Sequence, residues 1–412
     1  MGNELQRAEK ILERINELAS ISEEEKCITR TYGTRAFIEG RNKVEQWMKK
    51  SGLKTRIDTI GNVRGRLESK DSNAKTFVIA SHIDTVVNAG KFDGPLGVLM
   101  GLDILEQLIK AKTQLPFHIE LIAFCDEEGC RFHTTYLVSK AVAGSFDKTL
   151  LDAKDTAGIS LAETIVQNGG DVNKLSKDAI AKNDWLGYFE IHIEQGPVLY
   201  EKDTPVGIVT AIAGQCRAGM VFNGEAGHAG TVPMDMRKDA LACAAEFIQE
   251  AERLGKANKQ EIVATVGKLN IINSASNVIP GEVICSLDLR SADQTKLSSS
   301  YEAIKKIAEA ICKKRNIVLE WNLVQQTKPV VCDNKMNEFL KQSIAGTGFE
   351  TIELVSGAGH DAVPVSEVSP VAMLFVRCFK GISHNPLEDV ELKDIAAAIK
   401  VSDNFIQQLV KT

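Results

Sequence analysis

The chain has 412 residues, of which 44% are hydrophobic and 25% charged, and its net charge is −6. That length exceeds one ordinary core and implies two domains, while the mild acidity argues against nucleic acid or an anionic membrane as the main partner. No apolar run is long enough for a transmembrane helix, and nine scattered cysteines with no CxxC pair fit free thiols in a reducing, cytoplasmic setting.

The opening segment has no apolar signal core; Leu5, Ala8, Ile11, Leu12, Ile15 and Leu18 fall instead at helical spacing. Apolar runs predict strands at 76–80, 117–124 and 188–193. A helix over 97–111 lies between the first two, with Val98, Leu102, Leu105 and Ile109 as its apolar stripe. Strands alternating with helices imply a largely parallel α/β sheet. Residues 213–328 follow a different pattern. A strand at 218–223 leads to a helix over 238–254, with Gly255 as its C-cap. Strands at 261–272 and 282–290, joined by the turn-rich NSASNVIPG, precede a helix with Ile304, Ile307 and Ile311 on one face and a strand at 316–324. The order βαββαβ matches a ferredoxin-like module. A helix and a strand at 371–378 then resume the first pattern. The expected fold is therefore an α/β catalytic domain with a mainly parallel sheet, residues 1–212 and 329–412, carrying an inserted module at 213–328.

Chemistry gathers at strand ends. SHIDTVVNAGKFDG, residues 81–94, places His82, Asp84 and Asp93 just past a buried strand, where open α/β sheets carry their sites. Imidazole nitrogen with carboxylate oxygen suits zinc, manganese or cobalt. The second strand runs into CDEEGCRF. Of its adjacent carboxylates Glu127 and Glu128, one can hold a metal while the other takes a proton from a water whose pKa the metal lowers toward about 7. Alone, a DEE is more often a solvated acidic turn, and a histidine among apolar residues, like His192 in GYFEIHIEQG, more often belongs to the core. His384 in GISHNP follows the last strand. Taken together, the bland readings weaken: the chain has seven histidines, and several lie at strand ends or in glycine-rich turns beside carboxylates. Three histidines, Asp93 and a glutamate would hold two metals about 3.5–4 Å apart. His118 and His133 are assigned no role here, and the cysteines are assigned to packing.

The motifs SHIDTVVNAGKFDG, DEEGCRF, HIEQGPVL, GHAGTVPMDMRKDA, SNVIPG with DLR, SGAGHDA and GISHNP span nearly the whole chain. With them the sequence resembles the metal-dependent aminoacylase/carboxypeptidase-type peptidase superfamily. Within it, the similarity is to the amidase branch of allantoate amidohydrolases, N-carbamoyl-L-amino acid hydrolases and β-ureidopropionases. The resemblance implies two domains, with an inserted lid that also forms the dimer. It implies two divalent ions per subunit, zinc or manganese with cobalt or nickel also possible. Their ligands would be His82, Asp93, Glu128, His192 and His384, with Asp93 bridging, Glu127 as general base and Asp84 orienting His82. His228 would stabilise the oxyanion, reaching the active site of the partner subunit in a homodimer. Asn277 and Arg290 would hold the substrate carboxylate, Arg through a bidentate grip. Gln195 and the backbone at Gly359 and His360 would line the ureido pocket. Val138, Tyr200, Cys216 and Ala218 depart from the branch's usual residues.

The implied activity is hydrolysis of a small carboxylate-bearing ureido compound, with neither nucleic acid nor membrane as partner. RFHTTYL, GISHNPLE and the AGQCR segment at 213–217 look nearest to allantoate amidohydrolases, giving ureidoglycine, ammonia and carbon dioxide. The alternative is an N-carbamoyl-L-amino acid hydrolase and, more remotely, an aminoacylase or dipeptidase. A catalytically dead relative would have lost a ligand or the base, and none is lost.

Overall fold

The computed structural model describes residues 2–259 and 261–411. The chain forms two compact units. One runs to Thr210 and resumes at Cys332, and the other is Ala211–Val331.

The larger unit is a mixed α/β structure whose sheet is parallel at its centre. Its strands lie in the order Lys54–Ile57, Val63–Leu67, His118–Phe124, Thr76–His82, Trp185–Ile193, Val371–Val376 and Val206–Ile212, with Glu353–Ser356 also on Val206–Ile212. The four from His118–Phe124 to Val371–Val376 pair in parallel, and the flanking strands pair antiparallel. All seven residues of Thr76–His82 and of His118–Phe124 are buried. Residues 76–80 accordingly read as a near-continuous apolar run, whereas His118–Phe124 also buries His118 and Glu120, the latter paired with Arg64 at 2.7 Å. Helix Pro95–Lys110 packs against the two middle strands, and the expected opening helix spans Gly2–Ala19, burying Ala8, Ile11, Ile15 and Leu18. Leu5 of the expected stripe is exposed, and Arg7 takes an inward position instead, its guanidinium paired with Asp103 and Asp403. Helices Arg35–Lys50 and Leu392–Lys411 and strands Lys54–Ile57 and Val63–Leu67 go beyond the sequence expectations.

The smaller unit is an antiparallel sheet in the order Leu269–Ile271, Glu282–Ser291, Gly214–Asn223 and Val318–Thr327, with Val263–Thr265 also on Glu282–Ser291. Helices Ala240–Ala257 and Gln294–Lys314 pack on it around Phe222, Phe247, Leu287 and Ile304. Two local expectations are corrected. The strand expected at 261–272 is two short strands, interrupted where Lys268 exchanges bonds with Ser286 through its main chain. Gly255 is not a C-cap. The helix continues to Ala257, and Asn258 ends it, its side-chain amide donating to the Leu254 carbonyl at 2.9 Å.

Candidate metal centre

Parallel pairing brings the C-terminal ends of the central strands to one edge of the sheet, and the site is built there. His82 closes its strand opposite Phe124, so Glu127 and Glu128 begin just beyond. His192 lies one residue from the end of its own strand, opposite Phe375, and the chain past Val376 returns with His384. Asp93 comes from the turn before helix Pro95–Lys110. Gly94 holds that turn at φ +82, and a Cβ there would lie 2.5 Å from the His82 ring. Only glycine allows both the conformation and the approach.

Asp93 is the hub. Its Oδ1 lies 3.5 Å from His82 Nε2 and 3.1 Å from His192 Nε2, and its Oδ2 lies 3.1 Å from His384 Nε2. His384 Nε2 is in turn 3.4 Å from Glu128 Oε1. The ligand-type atoms thus form two groups sharing Asp93: His82 with His192, and Glu128 with His384. Asp84 sits behind them. Its two carboxylate oxygens accept the main-chain N–H groups of Glu127 and Glu128, each at 3.1 Å, and its main-chain carbonyl lies 3.1 Å from His82 Nδ1.

These residues fit a divalent cation. His82 and His192 turn Nδ1 to the carbonyls of Asp84 and Ile193, which fixes the ring proton there and leaves each Nε2 lone pair facing inward. The two Nε2 atoms are 3.4 Å apart, with Asp93 beside both. Lone pairs so placed repel unless positive charge lies among them. The electrostatics carry the same demand. Burial opposes charge on His82, yet Asp84 and Asp93 outweigh it and raise its pKa well above the usual imidazole value. Asp93 pushes His384 up to about 9. Burial and then Asp93 push Glu128 up to about 7, and burial raises Glu127 well above the carboxylate range, Glu128 adding to it. Protons or metal ions can meet that demand, and the mixed nitrogen and oxygen set suits a metal.

Residues 78–408 match the model of peptidase family M20/M25/M40. The chain belongs to that family. It is 38% identical to allantoate deiminase 2 of Glycine max, across 96% of this chain and 88% of that protein. It is 36% identical to the N-carbamoyl-L-amino acid amidohydrolase of Geobacillus stearothermophilus, across 98% of both. The solved amidase of the hydantoinase/carbamoylase family from Burkholderia multivorans superposes with a TM-score of 0.91 at 30% identity, covering 98% of each chain. M20 enzymes depend on metals, and this chain presents the ligand groups such a centre needs.

The larger unit of this M20 chain also holds Gln195, Gly359 and His360. Gln195, at φ +56, donates its amide to Asp93 Oδ2 at 2.8 Å, and His384 is at φ +53. Non-glycine residues in that region concentrate where tertiary structure imposes a functional geometry. The His360 ring is buried, with Nε2 2.8 Å from Ser356 Oγ and its edge against His192. Burial and His192 keep its pKa well below the usual imidazole value. His228, Asn277 and Arg290 belong to the smaller unit. His228 and Asn277 are exposed neighbours, with the Ala229 N–H donating to the Asn277 carbonyl. Arg290 gives Nε and Nη2 to the two oxygens of Asp288, which also accepts from Arg217 and Gln215. His118 is buried and its Nδ1 accepts the Ser69 N–H. Val138 is buried in the helix Leu137–Ala143, Tyr200 meets Phe379 edge-on, and Cys216 and Ala218 lie in the smaller unit's core.

Sequence reasoning passed over Ser383 and Glu388, which touch the Asp93 turn, and the buried carboxylates Asp126, Glu190 and Asp361 around the centre. The available signal was adjacency: Asp126 precedes Glu127, Asp361 follows His360, and Ser383 and Glu388 flank His384 within GISHNPLE.

Proposed function

We propose that this chain is a metal-dependent amidohydrolase opening a C–N bond of a carboxylate-bearing ureido compound. Allantoate is the first substrate, yielding ureidoglycine, ammonia and carbon dioxide. The observation that carries this is a buried Asp93 shared between His82 with His192 and Glu128 with His384, with Glu127 beside them. Among relatives, a match to an allantoate deiminase over 96% of this chain favours the substrate. The ligand arrangement supports two divalent ions, zinc or manganese, with cobalt or nickel also suited. When bound, they supply Lewis acidity and make water a competent nucleophile near neutral pH.

The rest falls to the chain's own groups. A Glu127 carboxylate oxygen, its proton affinity raised by burial, takes a proton from the attacking water and passes it to the leaving nitrogen. Asp84 holds the Glu127 and Glu128 main chain and orients His82. The unit Ala211–Val331 serves as a ferredoxin-like lid and dimerisation module in a cytoplasmic homodimer. Its His228 stabilises the oxyanion in the partner's site, and Asn277 and Arg290 hold the substrate carboxylate. Asp288 braces the Arg290 guanidinium for that grip. Gln195, Gly359 and His360 line the ureido end.

The test is a panel of allantoate, N-carbamoyl-L-amino acids and dipeptides, run on enzyme reconstituted separately with zinc, manganese, cobalt and nickel. Allantoate should give the highest kcat/KM and dipeptides none. The alternative, an N-carbamoyl-L-amino acid hydrolase, is favoured by the Geobacillus relative's match over 98% of both chains. Preference for a carbamoyl amino acid would establish it.

A further inference from the structure

Outside the ligand set, one buried carboxylate joins two segments of the centre that lie far apart in sequence. Glu388 is 4% exposed. Its Oε1 accepts the main-chain N–H of Phe92 at 2.7 Å and of Asp93 at 3.1 Å. Its Oε2 lies 3.1 Å from Ser383 Oγ, and that hydroxyl lies 2.8 Å from Asp93 Oδ2. The carboxyl fits there because residue 90 is glycine: a Cβ at Gly90 would come within 2.3 Å of it. Glu388 therefore holds Asp93 directly at its N–H, and its carboxylate shares with that of Asp93 the single Ser383 hydroxyl donor, from the same turn that carries His384. Hydrogen bonds to a buried carboxylate are strong, and losing the acceptor would strand two N–H groups.

We propose that Glu388 is a positioning residue that fixes the Asp93 turn against the Ser383–His384 turn and so sets how tightly the Asp93–Glu128–His384 side holds a divalent cation. This rests on the metal-centre reading above. A direct ligand needs only an inward lone pair, whereas Glu388 acts by keeping two ligands at the separation one ion requires. Partners of metal ligands typically change metal affinity about 10–100-fold when removed.

The experiment measures Zn²⁺ affinity and content by chelator competition and elemental analysis on dialysed protein, for wild type, Glu388→Ala, Glu388→Gln and Ser383→Ala. Melting in excess chelator reports the fold separately. Glu388→Ala should lose roughly 10–100-fold in affinity at the Asp93–Glu128–His384 class of site, with a smaller loss at the His82–His192 class, which shares only Asp93 with it. Glu388→Gln should stay within a few-fold, because its carbonyl can accept the two N–H groups and its amide can donate to Ser383. Ser383→Ala should fall between. A folded Glu388→Ala protein with wild-type Zn²⁺ affinity overturns the proposal, as do equal losses in the Ala and Gln variants. A purely structural glutamate would lower the chelator-phase melting temperature and leave affinity unmoved. If Glu388→Ala does not fold, Ser383→Ala decides, and wild-type affinity there is fatal to the proposal. Failure of the wild-type enzyme to take up Zn²⁺ would instead sink the metal-centre reading, and this inference with it.

Discussion

The two units hold their polar residues in opposite ways. In the larger, the central strands are buried along their length, and His82, Asp84, Asp93 and Glu127 are buried at strand ends and in the adjoining turns. In the smaller, strand Gly214–Asn223 alternates buried with half-buried residues, and His228 and Asn277 are exposed. A parallel sheet wrapped by helices must enclose whatever its strand ends carry, so charge there needs partners or metal. An antiparallel sheet with helices on one face can display polar groups on the other at little cost. One unit thus encloses its ionisable groups and the other displays polar groups to solvent.

The contrast can be broken at its strongest point first. Glu127→Gln should reduce turnover by about 10²–10⁴-fold while metal content stays at the wild-type level, and Glu128→Gln should instead lower bound metal. Elemental analysis showing the reverse would exchange the roles of these neighbours. In the smaller unit, His228→Ala should cost about 10²–10³-fold in kcat with little change in melting temperature, because the side chain is exposed. Mixing inactive His228→Ala and Glu127→Gln subunits should restore activity if each site takes its histidine from the partner. Subunit exchange verified by mass with no recovery would reject the shared site.

Smaller effects sharpen the same comparison. Arg290→Lys should raise KM for a carboxylate substrate about ten- to a hundredfold, the worth of a charged hydrogen-bond pair, and barely affect an analogue with that carboxylate amidated. Equal losses on both would make Arg290 a brace for Asp288 alone. The least perturbing pair tests burial itself. Val78→Thr, at a position 0% exposed, should destabilise by about 1–3 kcal/mol through an unpaired hydroxyl. Val324→Thr, 71% exposed, should stay within about 0.5 kcal/mol. Urea titrations of both variants give the comparison directly.

Much of this was legible in the chain. Apolar-rich runs marked the buried strands 76–80 and 117–124, and the βαββαβ order marked the change of pattern after residue 212, because burial on two faces and on one leave different periodicities. Strand-end placement singled out His82, Glu127, Glu128, His192 and His384 before any distance was known. Local signals misled at Gly255, where a glycine near a helix end suggested a cap that Asn258 provides. They were weak at the short strands Lys54–Ile57 and Val63–Leu67, where tertiary packing outweighs propensity. Helix Leu392–Lys411, by contrast, carries a clear helical spacing in Ile395, Ile399, Ser402 and Ile406 that the expectations left out.

What the sequence determined by itself was the kind of residue at each strand end and the family those motifs belong to, since both are properties of local order along the chain. Tertiary structure alone decided that Gln195 and Ser383 converge on Asp93 Oδ2, and that Glu388 reaches back across 295 residues to the Asp93 N–H. Those relations depend on the parallel register that sets distant strand ends side by side, and no local pattern encodes it. Hydrophobic periodicity specifies which face of a strand is buried. Which strands become neighbours, and so which side chains gather at one site, is fixed only when the whole sheet is packed.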